Sequence, residues 1–354
     1  MAYEIRIEPS GAVVQAEEGQ TILDACLRAG VWLPYACQHG RCATCKVDVV
    51  EGTVDHGEAT PFALMDVERD EGKCLTCCAI PLSDLCIEAD VDEEPDALHL
   101  PIGEWDAQVA TIESLTPTIR GIRLKLGKPG FAFQPGQYVQ LAIPGVDGPR
   151  AFSIANSPSE QDMVELHVRR VPGGAGSAYL HEQLKVGETL RFAGPYGRFF
   201  VRHSAPGHAL FLAGGSGLSS PKSMILDLLE RGDPREITLI HGARTVSELY
   251  EVDLFRGLAA RHSNFHYIAA VSDEQAQGGE DWLAAGFVHE VAKSRFDGNF
   301  RDCKAYLCGP PQMIEACIRV LMQGRLFEKG MFTEQFLSGA DQRNERRSPL
   351  FKSI

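Results

Sequence analysis

The chain has 354 residues, too many for one hydrophobic core, so two or three domains are expected. Lys and Arg number 34 against 48 Asp and Glu, and the excess is local: residues 1–100 carry 6 basic and 20 acidic side chains, while the remaining 254 residues are balanced. Such a segment repels phosphate, which argues against a nucleic-acid partner, and it suits steering toward a basic patch on another protein. No stretch approaches the length of uninterrupted apolar residues that a membrane-spanning helix needs, and the start, MAYEIRIEPSG, lacks the basic and apolar regions of a signal peptide. The expected compartment is therefore the cytoplasm, where the 11 cysteines favour metal-bound or free thiols over disulfides.

The N-terminal segment alternates (Tyr3, Ile5, Ile7, then Gly11, Val13 and Val14) and predicts a β-hairpin. A helix follows over 21–29, with Thr21 as N-cap, Asp24 completing a capping box and Gly30 ending it. A Cys-rich loop then leads to strands at 46–50 and 85–87. The acidic, Pro-containing stretch 90–97 predicts a linker, which puts the first domain at 1–95. From 102 to 203, short strands at 119–126, 138–143, 164–171 and 189–193 are separated by Gly and Pro, the pattern of an antiparallel barrel. From 207 to 338 the pattern becomes strand (208–213), Gly-rich turn, helix (221–230), strand (236–241), with a later strand at 305–307. That alternation predicts a parallel sheet covered by helices. Residues 339–354 predict a C-terminal tail, flexible over 339–348.

Cys37, Cys42 and Cys45 stand in C-x4-C-x2-C spacing, with Cys77 after 31 intervening residues. One loop can wrap three thiolates around a two-iron cluster while a fourth arrives from a distant strand. A structural zinc site usually shows two short cysteine knuckles, and here one triplet appears. Cys74, Cys77 and Cys78 compete for the fourth place. Cys26, Cys86, Cys303 and Cys317 read as small core residues.

Further elements suggest cofactor chemistry. Arg150-Ala151-Phe152-Ser153 follows a strand and offers a phosphate-neutralising Arg, an aromatic ring and a hydroxyl. Gly173-Gly174-Ala175-Gly176-Ser177 opens an apolar helix at 178–184, where free N–H groups could meet a pyrophosphate. Gly214-Gly215-Ser216-Gly217 joins a strand to a helix in the same way. Cys308-Gly309-Pro310 directly follows another strand, and Arg244 closes a further one.

Together these motifs resemble the ferredoxin–NADP reductase superfamily with an N-terminal plant-type [2Fe–2S] ferredoxin domain. The order of modules is similar to that of the reductase components of bacterial multicomponent phenol hydroxylases. The match extends to Pro61-Phe62-Ala63-Leu64-Met65-Asp66 and to the ending Leu350-Phe351-Lys352-Ser353-Ile354; Cys74, where an aliphatic residue is the rule, and Ser220, where many superfamily members carry Pro, depart from the wider pattern. The resemblance implies a multidomain α+β and α/β protein: a β-grasp ferredoxin domain, an antiparallel β-barrel FAD domain and a parallel-sheet, Rossmann-like NAD domain. It implies Cys77 as fourth cluster ligand and Arg150, Phe152, Ser153, Gly174, Gly176 and Ser177 at FAD. At the nicotinamide it implies Gly214, Gly215, Ser216, Gly217, Arg244, Cys308, Gly309 and Pro310. Ser153, Cys308 and Glu334 take the catalytic places. Phe336 follows Glu334 by two, as the flavin-shielding aromatic does in the family, but 18 residues follow it, which leaves its stacking on the flavin open.

The implied activity runs from NADH, preferred over NADPH for want of a basic cluster, through FAD and the [2Fe–2S] cluster to a di-iron hydroxylase on another polypeptide. The same parts serve reductases of Rieske dioxygenases and of alkane or methane monooxygenases. A redox-sensing iron–sulfur flavoprotein is a reading of another class.

Overall fold

The computed structural model describes residues 2–36, 38, 40–90, 94–273 and 281–336. The tail expected at 339–354, and with it the flexibility expected at 339–348, lies outside these residues, as does part of the expected linker. The chain divides into two compact units, one within the first 103 residues and one that begins at Glu104. No described helix is long and apolar enough to cross a membrane.

The first unit is a five-stranded mixed sheet with a helix against it. Ala2–Glu8 pairs antiparallel with Ala12–Glu17 as the expected hairpin, and parallel with Leu85–Glu88, which pairs with Lys46–Glu51 and through it Lys73–Leu75. Ile5, Ile7, Val14 and Ala16 alternate inward and meet Ile22, Leu23, Cys26 and Leu27 of the helix Ile22–Arg28 in the core. Thr21 caps this helix, its hydroxyl accepting from Asp24 N–H at 3.3 Å. The expected capping box is only half made. The Asp24 carboxylate instead takes Gln20 Nε2 at 2.7 Å and Arg28 Nε at 2.9 Å, because an aspartate is one methylene shorter than the Glu that reaches back to the cap.

In the second unit, six antiparallel strands run in the order Arg150–Ser153, Tyr138–Ala142, Thr189–Tyr196, Gly103–Ser114, Ile119–Leu126, Met163–Arg169. The bridge between Ile154 and Leu166 joins the two ends, so the sheet closes as a barrel around Val109, Ile122, Leu124, Val139, Leu141 and Phe192.

The six parallel strands run Leu283–Ala285, Phe265–Val271, Ile237–Ala243, His208–Gly214, Cys303–Gly309, Met331–Gln335. Both faces are covered: Ala209, Phe211 and Ala213 enter one core, Leu210 and Leu212 the other, as a parallel sheet buried on both sides requires. The order reverses beside His208–Gly214. Its neighbours are Ile237–Ala243 on one side and Cys303–Gly309 on the other. Such a switch point opens a crevice at the C-terminal strand ends, where open α/β sheets bind ligands.

Candidate functional site

Two motif turns meet in that crevice. A Cβ added to Gly217 would lie 2.4 Å from the Cys308 carbonyl oxygen, and one added to Gly309 (φ +152°) would lie 3.2 Å from both the nitrogen and the carbonyl oxygen of Gly214. Only glycine permits this approach. The turn Gly215–Leu218 is a 3₁₀ segment that runs directly into the helix Ser219–Glu230, which begins two residues before the start expected from sequence. Ser219 draws it in by donating to the Ser216 carbonyl at 2.9 Å.

Three of the sequence-named residues converge on one oxygen. Glu334 lies opposite Cys308 in the parallel register of the two edge strands. Its Oε2 accepts from Cys308 Sγ at 3.5 Å, from Ser153 Oγ of the barrel at 3.2 Å and from Ser220 Oγ at 2.6 Å. Burial raises the Glu334 carboxyl above its ordinary value, and the three donors partly offset this. Burial, followed by the nearby Glu334 carboxyl, pushes the Cys308 thiol well above its ordinary range, so it stays protonated and acts as a donor. Phe336 N–H donates to the Gly309 carbonyl at 3.0 Å, and its ring packs against the sheet core. Arg244 is exposed just beyond its strand and makes none of these contacts. Pro310 is the N-cap of the helix Pro311–Gln323.

The barrel side of the site is equally specific. Ser153 pairs with Tyr138, which pairs with Tyr196, and the two tyrosine rings stack at 5.7 Å on the face that carries Ser153. Phe152 alternates to the other face and packs partly on the barrel core. The helix after the Gly-rich run spans Ala175–Glu182, earlier than the 178–184 expected, because Gly174 already serves as N-cap. A Cβ on Gly176 would fill the space against Ile143 Cδ1 (3.0 Å) and Arg150 Cγ (3.4 Å), so the Arg150 stem crosses the start of this helix. A guanidinium at a helix N-terminus is suited to a pyrophosphate such as that of FAD. The Ser177 hydroxyl is used inside the turn, accepting from Val171 N–H at 3.0 Å and donating to the Gly174 carbonyl at 3.0 Å.

Behind the Gly215 turn lies a buried polar network that the sequence does not announce. Lys222 Nζ bonds Glu165 Oε1 at 2.7 Å and Glu251 Oε1 at 2.5 Å. Glu165 also meets His167 Nε2 at 2.8 Å; His167 Nδ1 lies 3.2 Å from the Tyr250 hydroxyl, which donates to the Gly215 carbonyl at 3.3 Å. Ligand atoms of Glu165, His167 and Glu251 come within 4.8 Å of one another, but the Lys222 ammonium bridges the two carboxylates as the cation.

In the first unit, Gln38, Gly40 and Ala43 adopt positive φ (55°, 66° and 61°), which coils the cysteine loop tightly. Cys37 lies outside the described residues. Cys45 Sγ is 3.3 Å from Cys77 Sγ, and Cys78 Sγ is 3.7 Å from Cys77 Sγ. Cys42 is partly exposed, whereas Cys74 is fully buried in its strand. Thr76 N–H donates to the Cys45 carbonyl at 3.0 Å, and Thr60 N–H to the Gly40 carbonyl at 3.0 Å, so both ends of the loop are pinned. Neighbouring thiols on a loop of this shape fit a two-iron cluster. Cys26, Cys86, Cys303 and Cys317 are buried core residues.

Comparison with known proteins agrees with this arrangement. The family model for a 2Fe-2S iron-sulfur cluster binding domain matches residues 5–82, that for an oxidoreductase FAD-binding domain matches 106–201, and that for an oxidoreductase NAD-binding domain matches 211–319. The chain is 60% identical to the reductase component DmpP of phenol 2-monooxygenase from Pseudomonas sp. (strain CF600), over all of both chains. It is 55% identical, again over all of both, to the phenol hydroxylase P5 protein of Acinetobacter pittii (strain PHEA-2). Among solved structures, the Amycolatopsis cytochrome P450 reductase GcoB superposes with a TM-score of 0.85 at 33% identity, covering 94% of this chain and 98% of that one. The chain belongs to the family of phenol hydroxylase reductase components, electron-transfer oxidoreductases that join a [2Fe–2S], an FAD-binding and an NAD-binding domain.

Proposed function

We propose that this chain accepts electrons from NADH and delivers them to a di-iron hydroxylase component on another polypeptide, with Ser153, Cys308 and Glu334 at the reacting atoms. The observation that supports this most is the single carboxylate oxygen of Glu334, which accepts from Ser153 of the flavin-domain barrel and from Cys308 of the nucleotide-domain sheet. The two cofactor-binding halves therefore meet on one atom.

FAD, when bound, converts a two-electron donor into single electrons that a [2Fe–2S] cluster can relay. The residues do the rest. Arg150, with Gly174, Gly176 and Ser177 at the neighbouring helix start, holds the pyrophosphate, while Phe152, on the Arg150 face of its strand, lines the FAD site from the barrel side. Gly214, Gly215, Ser216 and Gly217 let the nicotinamide nucleotide approach the strand ends beside Cys308, Gly309 and Pro310, and Arg244 reaches it from the adjoining strand. Phe336, tethered to Gly309, covers the site. Cys308 stays a neutral thiol and Glu334 orients the Ser153 hydroxyl. Cys37, Cys42, Cys45 and Cys77 hold the cluster, and the acidic first unit is the surface that docks on the partner. Domain limits of 1–95, 102–203 and 207–338, a tail at 339–354 and a cytoplasmic location complete the reading.

The test is reconstitution with the oxygenase components of a phenol hydroxylase. Phenol-dependent NADH consumption, with kcat/KM for NADH above that for NADPH, is the expected outcome. Preference for NADPH, or no phenol-dependent consumption, contradicts it.

A further inference from the structure

Glu334 receives three hydrogen bonds, and the shortest comes from a residue with no place in the cofactor-binding set described above. Ser220 Oγ lies 2.6 Å from Glu334 Oε2, against 3.2 Å for Ser153 and 3.5 Å for Cys308. Ser220 is fully buried in the first turn of the helix Ser219–Glu230, where its hydroxyl could as easily have turned back onto its own backbone. It is aimed instead across the crevice at the edge strand Met331–Gln335.

We propose that Ser220 is a positioning residue that sets the proton affinity of Glu334 and fixes its carboxylate between Ser153 and Cys308. Among the described residues, the groups facing the carboxylate are Ser153 from the barrel, Ser220 from the helix and Cys308 from the neighbouring strand. The only titratable one among them is a thiol kept neutral by burial. None of these groups is a cation that compensates the charge, and hydroxyl donors are what holds the ionised form against burial. Among the influences that lower the Glu334 carboxyl, Ser220 is the largest. An ionised Glu334 can accept from all three donors through Oε2, and so hold the Ser153 hydroxyl in one direction. Protonation weakens these bonds. For its catalytic consequence, though not for its physical content, the proposal rests on the reading of Glu334 as a residue of the flavin–nicotinamide site.

The test uses the full-length, FAD- and cluster-loaded protein as wild type, S220A, S220T, E334Q and the S220A/E334Q double variant. A carboxyl whose folded pKa lies above its unfolded value makes the fold less stable as pH rises from the unfolded pKa through the folded one. S220A widens that interval by about one pH unit, a tenfold change in proton affinity. Its thermal midpoint should therefore fall further between pH 5 and pH 8 than that of wild type. S220T should restore the wild-type difference, and S220A should add nothing in the E334Q background. Equal falls in wild type and S220A overturn the proposal, as does a larger fall that persists with E334Q.

A second measurement, the rate of anaerobic flavin reduction by NADH against pH, separates this proposal from the functional reading. The acid limb should move up by about one unit in S220A and return in S220T. If the thermal comparison behaves as expected and the rate midpoint stays put, the hold of Ser220 on the carboxylate stands and the catalytic reading of Glu334 fails.

Discussion

Lys222 Nζ lies 2.7 Å from the Glu165 carboxylate, which ties the first helix of the nucleotide-binding sheet to the strand Met163–Arg169 of the flavin barrel. Both side chains are nearly out of solvent, at 7% and 10% exposure. Burial alone would lower the Lys222 ammonium, but Glu165 and Glu251 raise it above its ordinary value. Burial alone would raise the Glu165 carboxyl, but His167 and Lys222 bring it down to about 2. Because Tyr250 carries the network on to the Gly215 carbonyl, the same contacts hold the nucleotide turn against the barrel.

Lys222→Met should therefore destabilise the second unit by about 3–5 kcal/mol, since removing one partner of a buried ion pair leaves the others uncompensated. Urea denaturation of the full chain checks this. Replacing Lys222, Glu165 and Glu251 together by apolar residues should cost less than the single change, and a larger loss would refute the assignment of a buried charge cluster.

His241 sits at 0% exposure with neither ring nitrogen hydrogen-bonded among the described residues. Its ring meets the Tyr250 ring edge-on at 5.4 Å. Burial lowers its pKa from 6.5 to about 3, with the nearby His167 contributing. The unfolded chain thus binds a proton that the folded chain refuses. The stability this gives is full above pH 6.5 and declines as pH falls toward 3. Between pH 7 and pH 5 the decline from this residue is about 2 kcal/mol. His241→Leu should flatten that part of the acid limb and raise stability at pH 7 by about 1–3 kcal/mol, the cost of leaving a buried polar group unpaired. Urea midpoints at the two pH values decide it, and an unchanged acid slope contradicts the account.

The adjoining thiols of Cys77 and Cys78 are 3.7 Å apart, yet it is Cys77 whose sulfur approaches Cys45, at 3.3 Å. Cys77→Ser should abolish the visible absorbance and the electron-spin signal of the cluster, while Cys78→Ser should keep both. The reverse result would transfer the ligand role to Cys78.

What the sequence discloses and what it hides divide along a physical line. Backbone requirements are local, so Gly214, Gly217 and Gly309 at strand ends and the spacing of Cys37, Cys42 and Cys45 announce tight turns and a thiolate loop by themselves. Glu334 and Cys308 are also legible, through their motif positions. The partners of Lys222, by contrast, come from positions 57 residues before and 29 after it, and nothing in a single sequence encodes that meeting. Ser220 shows itself only as a departure from a proline pattern. Its direction toward Glu334 depends on how a helix and an edge strand pack. Which way Phe152 faces is equally hidden, since alternation in a four-residue strand has no reference until its neighbour Tyr138 is placed beside it.

In the proposed path, electrons enter at the flavin and leave through the cluster. The most direct measurement removes FAD from the full chain while keeping the cluster, then adds NADH without oxygen and follows the electron-spin signal of the reduced [2Fe–2S] centre. No signal is expected until FAD is restored, and a full signal afterwards. A cluster that NADH reduces as fast without FAD as with it would contradict this path.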